Sequence, residues 1–419
     1  MTLRRHLTRS LRRATVAAAT VALVATTPVV AHSPVAASTA ASTAASTVAE
    51  RLPAAAGLEG QPGTVLAAER LDKDLWIPRT TGKAFRLTYV TTDSFGQPAT
   101  STGAVYIPKG KAPEGGWPVL SWAHGTVGLG DACTPSVVGP GLPERDFPYL
   151  QRWMEQGYAI VASDYVGLGT PGLMPYLDGE ATAHSVVDMV KAGYNFATDR
   201  LAEPHRLSRS WVAIGQSQGA GAAIYTARYA TEMGGPALDY RGAVGTGTPA
   251  YVEQGISILG PGSPPVALPP AVTAYVSYIF TSLRYVHPEL GIDAILTPTG
   301  EHYLDLAETA CLRPFMQELD GVVLGDFVTQ PVATLPGFQA TVRDYMGMPE
   351  DGFDRPFFMG HGLRDVDVPY ATTAAYVAAL RANGEPVTFV TYDNDHSGTM
   401  VEAQADAIPF VRALFESGP

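Results

Sequence analysis

The sequence WVAIGQSQGAGAAIYTARYA, residues 211–230, contains the pattern that is most informative about the fold. An apolar run reaches Gly215, Ser217 follows between two glutamines, and an alanine-rich run begins at Gly219. This order predicts a strand, a sharp turn and a helix. A serine on such a turn has a strained backbone, so the residues two before and two after it must be small. We therefore predict that Ser217 is a nucleophile; an ordinary serine at a helix start is the alternative.

A serine hydroxyl needs a base, and in this strand–turn–helix arrangement the order along the chain is serine, carboxylate, histidine. His396 lies in YDNDHSGTM, residues 392–400, which we predict to be a loop after the last strand. His361 is the rival histidine, although it comes before the candidate carboxylate. The carboxylate is sought in GHGLRDVDVPY, residues 360–370, where Asp365 follows a predicted strand and Asp367 is the alternative.

Two backbone N–H groups are needed to stabilise the oxyanion that forms when the serine attacks. The residue after the nucleophile, Gln218, supplies the first. We predict that Thr126 supplies the second, because AHGTVGLGDACTPS, residues 123–136, follows a strand and Gly125 permits a close backbone approach. The alternative is a glycine-rich connector, in which His124 is a structural or orienting residue.

The remaining pattern predicts an α/β protein with a mostly parallel central sheet, helices on both faces and an antiparallel start. The predicted strands are residues 85–93, 103–108, 118–125, 158–165, 211–217, 240–247, 355–362 and 386–393. The predicted helices are residues 147–156, 182–198, 219–233, 371–383 and 404–417. Between these, residues 251–350 are predicted to be a helical cap inserted over the site, and the aromatic segment YVSYIF in it is either an acyl-binding wall or cap packing.

The N-terminus has the pattern of a secretory signal. A basic segment, MTLRRHLTRSLRR, precedes an apolar stretch rich in alanine and threonine. We predict a signal peptide over residues 1–31, with cleavage as late as residue 37, and a membrane anchor is the alternative. Residues 32–60 are predicted to be an Ala/Ser/Thr-rich flexible leader, and residues 61–419 to be the folded domain. The protein is therefore expected to be secreted.

Composition and charge limit the possible partners. The chain of 419 residues has a net charge of −12, 46% hydrophobic residues and 16% charged residues. A protein with this much negative charge is repelled by nucleic acid and by anionic membranes. We therefore expect neither a nucleic-acid partner nor stable membrane insertion. No phosphate-binding loop, H-E-x-x-H or dinucleotide motif occurs, so no cofactor and no metal are expected. A monomer is expected.

The two cysteines, Cys133 and Cys311, are informative because the chain is expected to be exported. In an oxidising compartment they most simply form one disulfide, and two buried free thiols are the alternative.

With these residues in place, the sequence resembles the microbial secretory lipases of the lipase-A type, within the α/β-hydrolase superfamily. The resemblance runs from about residue 70 to the C-terminus. It depends on WAHGT and CTPS, GYAIVASDYVGLGTPGLMPYL, GQSQGAGAA, GTPAYV, YVHPELG, GLRDVDVP and a late DHSG.

The resemblance implies a catalytic triad of Ser217, Asp365 and His396 and an oxyanion hole from Thr126 and Gln218. It also implies a disulfide from Cys133 to the cap cysteine, Cys311. One departure concerns the loop at residues 124–131, which differs from the loop of those lipase-A-type members that place an aspartate side chain in the oxyanion hole.

The sequence therefore predicts a secreted serine hydrolase that cleaves small-molecule or lipid carboxylic esters. A peptidase or amidase on the same fold is the first alternative, and a catalytically inactive binding protein is the second.

Overall fold

A computed structural model describes residues 60–202 and 205–417 of the chain. The predicted signal peptide (1–31) and almost all of the predicted leader (32–60) lie outside the described residues. Nine strands form one sheet in the described part: β1 (Val65–Arg70), β2 (Thr81–Thr92), β3 (Pro98–Pro108), β4 (Trp117–Ala123), β5 (Ala159–Ser163), β6 (Leu207–Gln216), β7 (Asp239–Thr246), β8 (Phe357–Gly362) and β9 (Val387–Tyr392).

The spatial order of the strands is β1-β2-β3-β5-β4-β6-β7-β8-β9. The pairs from β1 through β3 to β5 are antiparallel, whereas every pair from β5 to β9 is parallel. The predicted mostly parallel sheet with an antiparallel start is therefore confirmed. In such a sheet the carboxyl ends of the parallel strands meet at one edge, where ligand sites form.

Twelve α-helices occur in the described ranges. They are α1 (Pro135–Val138), α2 (Pro143–Met154), α3 (Gly179–Arg200), α4 (Gln218–Gly234), α5 (Val252–Ile256), α6 (Pro270–Val286), α7 (Pro298–Ala307), α8 (Leu312–Glu318), α9 (Phe338–Met346), α10 (Tyr370–Ala382), α11 (His396–Glu402) and α12 (Gln404–Glu416). No helix among them is both long enough and apolar enough to cross a membrane.

Helices cover both faces of the sheet, and each face has its own buried core. On one face, Trp153 of α2 and Val411 of α12 pack with Ile160 and Ile214 of the sheet. On the other, apolar residues of α3, α4 and α10 pack together and continue into the cap helices. The strands that lie between these layers are apolar on both sides, as buried parallel strands are.

Helices α5 to α9 lie between β7 and β8 and form the segment that we call the cap, residues 251–350. Its largest helix, α6, buries Tyr278, Phe280 and Leu283. Tyr278 packs edge-on against Tyr176 of the main domain, with ring centroids 5.7 Å apart. The aromatic segment predicted as either a wall or packing therefore contributes packing through Tyr278, while Tyr275 lines a cavity that Ser217 also lines.

Two elements differ from the sequence prediction. Strand β1 was not predicted, because VLAAER has little β-propensity and all but its first residue are exposed at the sheet edge. The segment that carries His396 was predicted to be a loop, but His396 is the first residue of α11. Asp395 caps that helix by accepting a hydrogen bond from the Gly398 N–H at 2.7 Å, a local interaction that makes a short helix out of DHSG.

Candidate active site

Ser217 lies on a strained turn between β6 and α4. Its φ and ψ are 58° and −125°, a conformation that non-glycine residues seldom adopt. The Ser217 N–H donates to the Thr246 carbonyl at 2.9 Å, which ties the turn to the neighbouring strand β7. The serine is half-buried, so its hydroxyl remains accessible at the carboxyl edge of the sheet.

The two flanking glycines are required by close backbone contacts. A Cβ added to Gly215 would lie 1.9 Å from the Gly219 carbonyl oxygen, and a Cβ added to Gly219 would lie 1.9 Å from the Ala123 carbonyl oxygen. Both distances are far below van der Waals contact. The turn therefore tolerates no side chain at either position, which is the physical reason for the spacing in the sequence.

Asp365 and His396 are joined by a short hydrogen bond. His396 Nδ1 lies 2.6 Å from Asp365 Oδ2, and both side chains are buried. The other carboxylate oxygen of Asp365 accepts the N–H groups of Asp367 at 3.0 Å and Val368 at 2.8 Å. Because the carboxylate is held on both oxygens, it fixes the imidazole with Nδ1 as the donor and leaves Nε2 as the acceptor.

His396 and Ser217 line the same cavity, which has a volume of about 480 Å³. His396 Nε2 is buried and has no hydrogen-bond partner among the described residues, so no hydrogen bond joins it to the Ser217 hydroxyl. Catalytic hydrogen bonds are often loose until substrate binds. The structure thus brings the predicted nucleophile and base to one cavity without closing the contact between them.

Asp367, the alternative acid, occupies a different position from Asp365. It lines the cavity and is half-buried, and burial raises the pKa of its carboxyl. Its described contact with Asp365 is the backbone N–H bond given above.

His361, the rival histidine, is fully buried at the end of β8. Its Nε2 donates to the Val368 carbonyl at 3.0 Å and lies 3.6 Å from Asp365 Oδ2. Burial lowers the pKa of His361, which favours the neutral ring that this hydrogen bond needs. His361 therefore braces the loop that carries Asp365.

The two predicted oxyanion donors are the residue that follows Ser217 in the chain and a residue that lines the same cavity as Ser217. Gln218 is the first residue of α4, so its N–H is among the helix donors that have no partner within the helix. Thr126 lines the cavity, and its hydroxyl forms a 2.5 Å hydrogen bond with the Tyr176 hydroxyl. Tyr176 was not singled out by the sequence analysis; the Pro-Tyr that follows the DYVGLG motif was its only signal.

His124 is buried and stacks on Tyr165 with ring centroids 4.3 Å apart. Its ring nitrogens lie 2.7 Å from the Gly125 carbonyl and 3.3 Å from the Asp164 carbonyl. Burial lowers the pKa of His124, so the neutral ring is favoured. These contacts hold the loop that carries Thr126, and they give His124 an orienting role.

Cys133 and Cys311 form a disulfide with their Cα atoms 5.4 Å apart. It links the loop after β4 to the residue that precedes α8 of the cap. The Leu312 N–H also donates to the Val127 carbonyl at 2.8 Å. The cap is therefore fastened directly to the loop that carries Thr126.

The cap contributes mainly apolar side chains to the cavity wall, whereas the end near His396 is polar. Leu312, Pro314, Met316 and Tyr275 line the cavity from the cap, together with the cation Arg313, which pairs with Glu144 at 2.9 Å. Arg145 of α2 lies at the polar end, where it donates to Ser397 Oγ at 3.2 Å and pairs with Asp146 at 2.7 Å. This polar end could not be predicted from the sequence, because residues that are far apart in the chain form it.

One group of metal-type ligand atoms occurs in the described residues, formed by Asp365, Asp367 and His396 within 4.8 Å of one another. Two of the three side chains, Asp365 and His396, are hydrogen-bonded to each other at 2.6 Å. That arrangement uses the imidazole N–H to orient the ring, so the donor set fits proton transfer better than metal coordination.

Comparison with known proteins finds lipases among the relatives of this chain. The chain is 24% identical to Lipase A of Moesziomyces aphidis over 374 residues, which cover 84% of this chain and 76% of that protein. It is 23% identical to a secreted triacylglycerol lipase of Malassezia furfur over 393 residues, which cover 87% of this chain and 74% of that protein. No family model matches the chain.

The fold has a similar solved counterpart. The crystal structure of Candida antarctica lipase A superposes with a TM-score of 0.69 and 21% identity, covering 86% of this chain and 84% of that chain. The predicted resemblance to lipase-A-type proteins, and the predicted fold of the α/β-hydrolases, are both confirmed.

Proposed function

We propose that this α/β-hydrolase, a relative of lipase-A-type lipases, is a secreted serine hydrolase that cleaves carboxylic esters through an acyl-enzyme on Ser217. One observation carries the proposal: His396 is bonded to Asp365 at 2.6 Å, while its Nε2 remains unpartnered in the cavity that Ser217 lines. A histidine that is oriented by a carboxylate in this way can accept the proton of a serine hydroxyl.

In the first step, the Ser217 hydroxyl attacks the acyl carbon and its proton passes to His396 Nε2. Asp365 stabilises the imidazolium through the Nδ1 hydrogen bond. The carbonyl oxygen gains negative charge, which the N–H groups of Gln218 and Thr126 stabilise. The tetrahedral intermediate then collapses, His396 returns the proton to the leaving oxygen, and the alcohol departs.

In the second step, His396 removes a proton from water and the hydroxide attacks the acyl-enzyme. The ester bond to Ser217 breaks, and its oxygen regains the proton from His396. Each group returns to its starting protonation state, so the reaction needs no cofactor.

The cavity supports an uncharged ester as substrate. Its apolar cap-side wall suits an acyl chain, and its volume of about 480 Å³ lies within the usual range for small-molecule sites. The named relatives are lipases, one of them secreted, which supports a lipid or small-molecule ester as substrate and secretion of this chain. The chain's negative charge disfavours nucleic acid as a partner, and we propose that the protein acts as a monomer.

The test is hydrolysis of p-nitrophenyl esters of graded acyl length by the mature protein, with labelling by a fluorophosphonate probe. We expect ester hydrolysis that Ser217→Ala lowers by about 10⁴-fold or more, together with loss of labelling. Ser257→Ala, a change at a cap serine, serves as the matched control and should keep both activities. Full activity of Ser217→Ala would contradict the mechanism.

The same assay separates the alternatives. Cleavage of aminoacyl anilides without cleavage of esters would indicate a peptidase. Inertness toward both substrates and toward the probe would indicate a binding protein.

A further inference from the structure

A second, smaller cavity lies beside the nucleophile on the face of α4 that looks toward α3 and the end of α9. Gln218, Gly221, Ala222 and Tyr225 line it from α4, at the spacing that places residues on one side of a helix. The remaining lining residues are Leu177, Asp178, Gly179, Thr182, Pro249, Met346 and Met348.

The polar atoms of this cavity fall into two groups. Asp178 caps α3 by accepting the Ala181 N–H at 3.0 Å, and Thr182 donates to the Asp178 carbonyl, so these two side chains have partners. By contrast, Gln218 Oε1 and Nε2 and the Tyr225 hydroxyl are buried and have no hydrogen-bond partner among the described residues. Gln218 is only 4% exposed and Tyr225 only 8% exposed.

Leaving such groups unpartnered is costly, because a buried amide or hydroxyl without a hydrogen bond has lost its water partners and gained none in the protein. The Tyr225 ring packs so closely on Gly179 that a Cβ there would lie 2.0 Å from it, which restricts rotation of this ring. Gln218 and Tyr225, which both carry buried polar atoms without partners among the described residues, thus line one small cavity from the same face of α4.

The size of that space limits what it can hold. Only about 10 Å³ is open to the centre of a water molecule, which is the space that about one water requires. An acyl chain would be too large and would leave three polar atoms unpaired. A single water, with the amide on one side and the phenol on the other, satisfies both volume and hydrogen bonding.

We propose that this cavity is a specific binding site for one water molecule, held by the Gln218 side-chain amide and the Tyr225 hydroxyl, that positions Gln218. The water fixes the side chain of the residue whose backbone N–H is offered to the oxyanion. Gln218 and Tyr225 act through that N–H and thus are positioning residues. This consequence for catalysis rests on the proposed function, whereas the water site itself does not.

The direct test is a crystal structure of the mature protein at about 1.5 Å, a resolution at which ordered buried waters are seen. We expect one water within hydrogen-bond distance of the Gln218 amide and of the Tyr225 hydroxyl. Absence of density there, or a Gln218 amide bonded to protein groups instead, would overturn the proposal.

The functional test is a double-mutant cycle of Gln218→Met and Tyr225→Phe on p-nitrophenyl acetate. Active sites are titrated with a fluorophosphonate, so a misfolded fraction does not lower kcat. Because the effect on the oxyanion donor is indirect, each single change should lower kcat by about 3- to 10-fold with KM unchanged. The double variant should be no worse than the worse single variant, since both changes release the same water.

Tyr240→Phe is the matched control. The Tyr240 hydroxyl is also buried and has no hydrogen-bond partner in the part of the chain that the structure describes, but it belongs to β7 and does not line this cavity. It should keep the wild-type kcat. Multiplicative effects in the cycle, or an equal loss in Tyr240→Phe, would overturn the positioning role. A wild-type protein without esterase activity would refute the proposed function, and the crystal structure would still decide the water site.

Discussion

The turn that carries Ser217 and the cap are stabilised by different kinds of contact. The turn at residues 215–219 is fixed by backbone atoms, since an added Cβ on either of its glycines would lie 1.9 Å from a carbonyl oxygen. In the cap, an added Cβ on Gly255 would meet no described atom within 4 Å, so close backbone contacts do not restrict that position. The turn is thus fixed by local sterics, whereas the cap is joined to the rest of the domain by side-chain packing, such as Tyr278 against Tyr176, and by the Cys133–Cys311 disulfide.

The largest expected effect is a loss of activity, and it tests the candidate triad at the edge of the sheet. Asp365→Asn should lower kcat by about 10⁴-fold, because the amide no longer fixes the imidazole tautomer that accepts the serine proton. The measurement is the steady-state hydrolysis of p-nitrophenyl esters. Asp393→Asn is the matched control, since that carboxylate is exposed on the neighbouring loop. Equal losses in the two variants would contradict the assignment of Asp365.

The next effect tests how the cap is fastened. The double change Cys133→Ser and Cys311→Ser should lower the free energy of unfolding by about 2–5 kcal/mol, because the disulfide closes a loop with a sequence separation of 178 residues. Urea unfolding of the mature protein measures it. Reduced wild-type protein should show the same loss. An unchanged urea midpoint in both samples would show that the cap is held by packing alone.

A pair of glycine substitutions compares the two regions directly. Gly219→Ala should destabilise the protein by about 1–3 kcal/mol or more and lower esterase activity, because the methyl group meets the Ala123 carbonyl. Gly255→Ala, within α5, should stabilise by up to about 1 kcal/mol, because alanine favours helix and the space is open. Thermal unfolding and activity assays check both. The same sign of stability change in both variants would contradict the comparison.

The smallest effect concerns the half-buried carboxyl of Asp367. Burial raises its pKa above the ordinary value of 3.8, so the folded state holds this proton more tightly than the unfolded state does. The resulting cost to folding is complete at pH values above the folded pKa and disappears as the pH falls below the unfolded value. Asp367→Asn should therefore raise the melting temperature at pH 8, with a smaller gain at pH 4.

Thermal melts of the wild type and of Asp367→Asn at the two pH values make the measurement. The exposed variant Asp393→Asn should show no such pH-dependent gain. A gain for Asp367→Asn that is larger at pH 4 than at pH 8 would reverse the sign and refute the effect of burial.

Much of the fold could be predicted from periodicity, because buried parallel strands and the helices between them carry strong patterns. Eight of the nine strands in the described residues were predicted to within several residues. Strand β1 was missed, since its exposed VLAAER sequence carries no apolar alternation. The helix that begins at His396 was not predicted, because it depends on capping by the Asp395 side chain. Its seven residues are also too few to show a clear helical periodicity.

The predicted site residues differ in how much sequence could say of them. Ser217 carries a local signature, the two glycines, that follows from steric contact. Asp365 and Asp367 are hard to separate by pattern, because both follow strand β8 within five residues. Only their positions in space distinguish them, since Asp365 bonds to His396 at 2.6 Å while Asp367 lines the cavity.

The strand–turn–helix around Ser217, the mostly parallel sheet and the order of the candidate triad can be predicted from the sequence, because they follow from backbone sterics and periodicity within short segments. The remaining contacts depend on the tertiary structure. It placed Arg145 and Ser397 at one end of the cavity and joined Thr126 to Tyr176. It also brought Gln218 and Tyr225 into the lining of one small cavity. Such contacts join distant segments, and their distances are set by how the layers pack.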